Sequence, residues 1–242
     1  MFGSCRTYHE ATLFMNKSVI GACWILCGAL PLAACSEGDP ADGPPSEGTG
    51  ATGIYALDVP ESFWTDPPGI GADIGAFVPE FLFDVSGTTV TLGTAHQRVQ
   101  DQCTPTAVVQ ATVAPPQFVL GPMDYEMHLE NAANQAQVNT TIRALTITNV
   151  IPPTDDAGGT LSAVLDAREI YPMFHLLTDP QPSAVCSALD EFDAPCEPCP
   201  QDGQPFCLTI TATRLEAVPA PEIVMGPVDG AGLGAECADV VP

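Results

Sequence analysis

The sequence predicts a mainly β protein: an antiparallel β-sandwich or partly closed barrel, with one or two short helices near a disulfide-rich loop. Three observations carry this expectation. Apolar and polar residues alternate at period two in several separate stretches, helical spacing is confined to residues 166–189, and four cysteines crowd between Cys186 and Cys207.

The first strands come from FLFDVSGTTVTL, where Phe81, Phe83 and Val85 alternate up to a turn at Ser86 and Gly87, and Thr88, Val90 and Leu92 alternate after it. β-branched and aromatic residues around a two-residue turn containing glycine predict a hairpin. Tyr125, Met127 and Leu129 repeat the alternation, as does TTIRALTITNV, and in FCLTITATRL Leu208, Ile210 and Ala212 face away from Thr209, Thr211 and Thr213. Faces that are half polar predict antiparallel pairing, because parallel strands are buried on both sides.

The helical signals follow. Asp166 with Glu169 predicts a capping box, Asp179 with Pro180 a second helix start, and SAVCSAL carries apolar positions at helical spacing. Pro172 limits the first helix to a short piece.

A longer echo runs along the chain. VAPPQFVLGPMD, from Val113 to Asp124, aligns without gaps on VPAPEIVMGPVD, from Val218 to Asp229, with six of twelve positions identical, and Cys103 falls opposite Cys207 with one gap. Two readings stand: an internal duplication of a half-domain, or one turn chemistry used twice.

The N-terminal region reads as targeting, not as fold. Residues 1–34 hold an apolar run from Val19 to Leu32 after Lys17, too short to cross a bilayer as a permanent helix. Glu10 and His9 suit a basic leader poorly, so Met15 is the expected start. The segment LAAC, Leu32 to Cys35, resembles the lipobox of bacterial lipoprotein precursors. That resemblance implies a mature chain beginning at Cys35, its thiol carrying acyl chains that bind the bilayer. Ser36, in place of an acidic residue, implies the outer membrane within the cell envelope. Residues 35–53, SEGDPADGPPSEGTGATG after the cysteine, form an acidic Gly/Pro/Ser tether, with a span of roughly 20–25 Å as a flexible coil. Residues 54–242 are then one β-rich domain, long enough for its own core.

Maturation removes Arg6, Lys17 and Glu10. What remains is four arginines, no lysine and 29 acidic residues, a formal charge near −25. Such a surface repels phosphate backbones and excludes nucleic acid as a partner. It also disfavours docking onto anionic headgroups, leaving membrane contact to the lipid.

Six cysteines follow the lipidation position: Cys103, Cys186, Cys196, Cys199, Cys207 and Cys237. An even number in an exported chain predicts disulfides, with two bridges inside the 186–207 cluster and Cys103 and Cys237 joining distant parts. A four-sulfur zinc site, and a redox pair at Cys196-Glu-Pro-Cys199, are the alternatives.

Motifs with a chemical mechanism are sparse. Neither G-x-S-x-G nor H-E-x-x-H occurs, and GIGADIG, Gly69 to Gly75, has isoleucine where a dinucleotide loop needs its third glycine. Asp155-Asp156 and Asp229-Gly230 lack the alternating ligands of a calcium loop. No cofactor and no metal are expected, and His96 and His175 have no companions in the sequence. In YEMHLE, however, Glu126, His128 and Glu130 share one face of a strand. The stripe is either the solvated face of that strand or a polar site. The expected function is a non-catalytic envelope module for a small apolar ligand, a glycan or an envelope protein. The alternative is an envelope enzyme assembled around His128 and nearby carboxylates.

Overall fold

The computed structural model describes residues 52–59, 63–66, 77–114, 117–133, 135–151, 158–174, 181–230 and 234–239. Residues 1–34, read above as targeting, Cys35, the expected tether up to residue 51, Gly69 to Gly75, Asp155-Asp156, His175 and Asp179-Pro180 lie outside these residues, while Gly53, expected to end the tether, is the first residue of a strand.

Two antiparallel sheets stack as a sandwich without closing into a barrel. The first contains β1 (Gly53–Leu57), β3 (Glu80–Ser86), β4 (Thr89–His96), β5 (Val99–Gln100), β6 (Ala107–Gln110) and β13 (Ala217–Pro219). Its order is β13-β1-β3-β4-β5, with β6 also paired to β4. The second contains β2 (Phe63–Asp66), β7 (Thr112–Ala114), β8 (Gln117–Asn131), β9 (Ala136–Thr148), β10 (Gly159–Asp166), β11 (Glu197–Pro198) and β12 (Pro205–Leu215). Its order is β11-β12-β10-β9-β8-β7, with β2 also on β12. The chain passes from one sheet to the other through buried Ala111, between β6 and β7.

The alternation read from the sequence points into the interface between the sheets. Phe81, Phe83 and Val85 of β3 meet Tyr125, Met127 and Leu129 of β8, together with Leu208, Ile210 and Ala212 of β12, all in one continuous core. Phe83 and Phe118 pack edge to face across the sandwich, 5.8 Å between ring centroids, in the arrangement aromatic quadrupoles favour.

Details of register depart from the alternation for local reasons. In the β3–β4 hairpin Ser86 pairs with Thr89, so the two turn residues are Gly87 and Thr88, one position later than the sequence reading. Gly87 has φ +64°, at the first turn position, where a hairpin turn needs positive φ. In β9 the alternation breaks at Arg143 and Ala144. There the ladder to β8 shifts, Ala144 takes φ +52°, and its N–H donates to Asp124 Oδ1 at 3.0 Å. Gly121, in the facing bulge, has φ +92°, and a Cβ there would overlap the Leu145 carbonyl oxygen.

Two short helices lie beside the cysteine cluster. Helix α1 (Ala167–Ile170) is capped by Asp166, which accepts from Arg168 N, and a 3₁₀ turn, Tyr171–Met173, containing Pro172 ends it. The capping box is only half made. Glu169 turns instead to β9, where it accepts from Thr140 Oγ1, Thr141 N and Arg143. Helix α2 (Pro182–Asp190) opens on Pro182 and buries Val185 and Leu189. Cys186 pairs with Cys196, Cys199 with Cys207, and Cys103 with Cys237. All six sulfurs are thereby consumed. The zinc alternative has no thiolates left, and the Cys196–Cys199 redox pair is not a pair.

The echoed segments have different structures, which removes the observation behind the duplication reading. Residues 117–124 lie in β8, a paired strand of the second sheet. After β13, residues 220–229 carry no helix or strand and form a strap over the outer face of the first sheet. Ala220, Ile223 and Met225 pack there on Ala56, Leu82 and Ala95, and Gly226 exchanges two hydrogen bonds of 2.8 Å with the Gln100 side chain. The shared apolar alternation seats Phe118 and Leu120 in one case, Ile223 and Met225 in the other. What repeats is a way of lying on a sheet. Cys103 and Cys207 are not equivalent either, one bonding Cys237 and the other Cys199.

Candidate functional site

The outer face of the β8–β9 hairpin carries a cleft of about 420 Å³. Its floor and walls include Glu126, Asn139, Thr140, Thr141, Glu169 and Gly230. The hairpin register makes the floor by placing Glu126 opposite Thr141 and His128 opposite Asn139.

The loop before β6 forms one rim. Asp101 organises it by accepting from Cys103 N at 2.7 Å and Thr104 Oγ1 at 2.6 Å. Thr104, fully buried, then accepts from His128 N at 2.9 Å, satisfying a β8 donor that has no strand partner on that side. Tyr125 Oη donates to Pro105 O at 3.1 Å, and burial, with Asp101 nearby, raises its pKa well beyond the ordinary phenolic range.

The C-terminal residues complete that side. Thr106 and Val228 bond through both backbone and side chain, and Cys237 is bridged to Cys103. Asn139 donates from Nδ2 to Cys237 O and to Asp239 Oδ1, both at 2.9 Å.

Glu169 on α1 forms the opposite wall. Burial works to raise its pKa, but the hydrogen bonds from Arg143, Thr141 N and Thr140, together with the Arg143 charge, outweigh burial and lower it. Arg143, 2.5 Å from Glu169, also donates to Thr141 O at 3.1 Å. The cleft thus presents one engaged carboxylate, one exposed carboxylate at Glu126, and the amide and hydroxyl groups between them.

The predicted polar stripe divides. Glu126 and Glu130 are exposed, whereas the His128 side chain has no exposure at all. The imidazole does not line the cleft: it lies under the C-terminal residues, with Nδ1 3.0 Å from Asn139 Oδ1 and Nε2 3.6 Å from Glu130 Oε1. The solvated-face reading holds for the two carboxylates and fails for the histidine between them. Asn139, Thr141 and Glu169 were missed by sequence reasoning. Asn139 and Thr141 follow once the length of the β8–β9 loop is known, while Glu169 has no signal, because its natural reading was as a cap.

A second cluster gathers Asp166, Cys199 and Cys207. Two of its three residues are joined as a disulfide, and Asp166 is engaged by Arg168 Nε at 2.9 Å, Arg168 Nη2 at 2.6 Å and Gln201 Nε2 at 2.9 Å. Arg168 also reaches Asp202 at 2.6 Å and lies over the Phe206 ring. This knot fastens α1 to the 199–203 turn. Its chemistry is structural.

The knot makes stability pH-dependent. Burial works to raise the Asp166 pKa, but hydrogen bonds from the Arg168 side chain and backbone and the nearby arginine charges prevail, and the net shift is downward. A group with a depressed folded pKa stabilises the fold above its unfolded pKa, near 4, and loses that contribution as pH falls through the folded value. Wild type should therefore exceed Asp166→Asn in stability at neutral pH, and urea midpoints should converge on acidification below about pH 4. A gap independent of pH would show that the carboxylate charge is not what holds the knot.

Comparison with protein-family models, curated proteins and solved structures finds no match for this chain.

Proposed function

We propose that this chain is a lipid-anchored bacterial envelope protein, a non-catalytic module that binds a glycan in the β8–β9 cleft. The observation that carries the ligand class is the polarity of the cleft. Glu126 supplies an exposed carboxylate and Thr141 a hydroxyl, beside Asn139, Thr140 and Glu169 whose polar groups are held in place by hydrogen bonds within the protein, at a concave surface of about 420 Å³, and sugar hydroxyls need such partners. An apolar cargo would need an apolar cavity, and the space between the sheets is filled by Phe81, Phe83, Phe118 and their neighbours. For the enzyme alternative, His128 would have to reach a substrate, and its side chain is enclosed. The lipid anchor rests on the LAAC segment alone.

One set of preparations tests both halves. The full chain in detergent is expected to bind members of a panel of envelope oligosaccharides, with affinity falling about ten-fold in Glu126→Gln, a loss of roughly 1.4 kcal/mol. Cys35→Ser should abolish acylation and release the protein from membranes. Saturable binding of a fatty acid without any oligosaccharide would refute the glycan reading, and so would cross-linking to an envelope protein through Glu126-side residues. Membrane retention of Cys35→Ser would refute the anchor.

A further inference from the structure

Outside the cleft, the Glu130 side of the polar stripe has unused metal-ligating capacity. We propose that His128 Nε2 and Glu130 hold a divalent transition-metal ion of the zinc or copper(II) class, beside the C-terminal residues that Cys237 ties down. The inference does not rest on the glycan reading.

The tautomer of His128 comes first. Asn139 gives its Nδ2 hydrogens to Cys237 O and Asp239 Oδ1, so its Oδ1 faces the imidazole and accepts from Nδ1–H at 3.0 Å. In that tautomer the lone pair is at Nε2, an atom that is buried without a hydrogen-bond partner among the described residues. Facing it at 3.6 Å is Glu130 Oε1, a second acceptor, itself taking, among the described residues, a 3.3 Å hydrogen bond from half-buried Gln137. Two acceptors pointing at one another repel unless positive charge lies between them.

A proton on Nε2 would make an ion pair there but no hydrogen bond, because a donor and acceptor 3.6 Å apart are beyond hydrogen-bonding distance. A metal ion fits it well. With bonds of about 2.0–2.1 Å to imidazole nitrogen and carboxylate oxygen, a separation of 3.6 Å corresponds to a ligand–metal–ligand angle of roughly 120°. The hydrogen bond from the far ring nitrogen to Asn139 is the kind that orients metal-bound histidines. Imidazole with carboxylate suits zinc or copper(II) better than magnesium or calcium, which favour all-oxygen sets. Glu130 is 46% exposed, so the carboxylate side of the pair faces water, which can complete the coordination, while the His128 side is enclosed. The strongly acidic chain favours cation approach.

The test uses the full chain in detergent, stripped with chelator and titrated with zinc chloride by calorimetry. One saturable site per chain is expected. Glu130→Gln should weaken it ten-fold or more, while Glu191→Gln, at the exposed end of α2, should change it less than two-fold. Because His128 is buried, it is read without mutation: zinc should move its Nε2 resonance in nitrogen NMR and leave Nδ1 protonated. The absence of a saturable site, equal weakening by both variants, or an unmoved Nε2 resonance would each overturn the assignment.

Discussion

Replacing Cys103 and Cys237 together by alanine is expected to lower stability by about 3–5 kcal/mol, the largest loss from any of the three bridges. The bond spans 134 residues of sequence, against 10 for Cys186–Cys196 and 8 for Cys199–Cys207. Loop-closure entropy grows with the logarithm of that separation, so the short bridges should each contribute about 2.5–3 kcal/mol. The long bridge also has a native-state role. It holds Cys237 where its carbonyl and neighbouring Asp239 can accept from Asn139, over an imidazole with no solvent exposure. Loss of the bridge should therefore raise hydrogen exchange at the Asn139 amide, which donates to Asp239. Chemical denaturation of the three double-alanine variants checks the order. A long-bridge variant no less stable than the other two would mean that the C-terminal residues stay docked without it.

The second large effect lies in the core. Phe118→Ala should cost about 3–5 kcal/mol, as should Phe83→Ala, because each empties a volume that the opposite sheet cannot refill. The two rings come from different sheets and meet edge to face. A double-mutant cycle should give a coupling of about 0.5–1.5 kcal/mol. Val224, 85% exposed on the strap, provides the contrast: Val224→Ala should stay within about 0.5 kcal/mol of wild type. Additive losses at Phe83 and Phe118 would mean that the aromatic contact adds nothing beyond burial.

These effects bear on the site because β8 serves both sides of its sheet. Its Tyr125, Met127 and Leu129 lie in the core, while exposed Glu126 and enclosed His128 alternate with them along the strand. Loosening the core should displace the cleft and the histidine together.

The sequence by itself determined the β-rich class, the strand faces and the bridged state of the six cysteines from Cys103 onward. Each of these depends on local pattern: period-two alternation decides which side chains share a face, and an even number of closely spaced cysteines favours bridges. Local pattern also located a short helix after Asp166. Tertiary structure decided what that pattern could not reach. Glu169 had the spacing of a cap, but Arg143, Thr140 and Thr141 offer its carboxylate more than one backbone N–H can, so it became a cleft wall. Two nearly matching segments took different roles because one continues as a strand paired on either side of Asp124, whereas the other pairs only at Val218 and Pro219 and then lies across the outer face of the first sheet. His128 had the spacing of a solvated residue, and became buried because Cys237, 109 positions away, is tied to a loop beside it. Contacts between residues so distant depend on how the sheets stack and where the chain crosses them, and no short window of sequence contains that information.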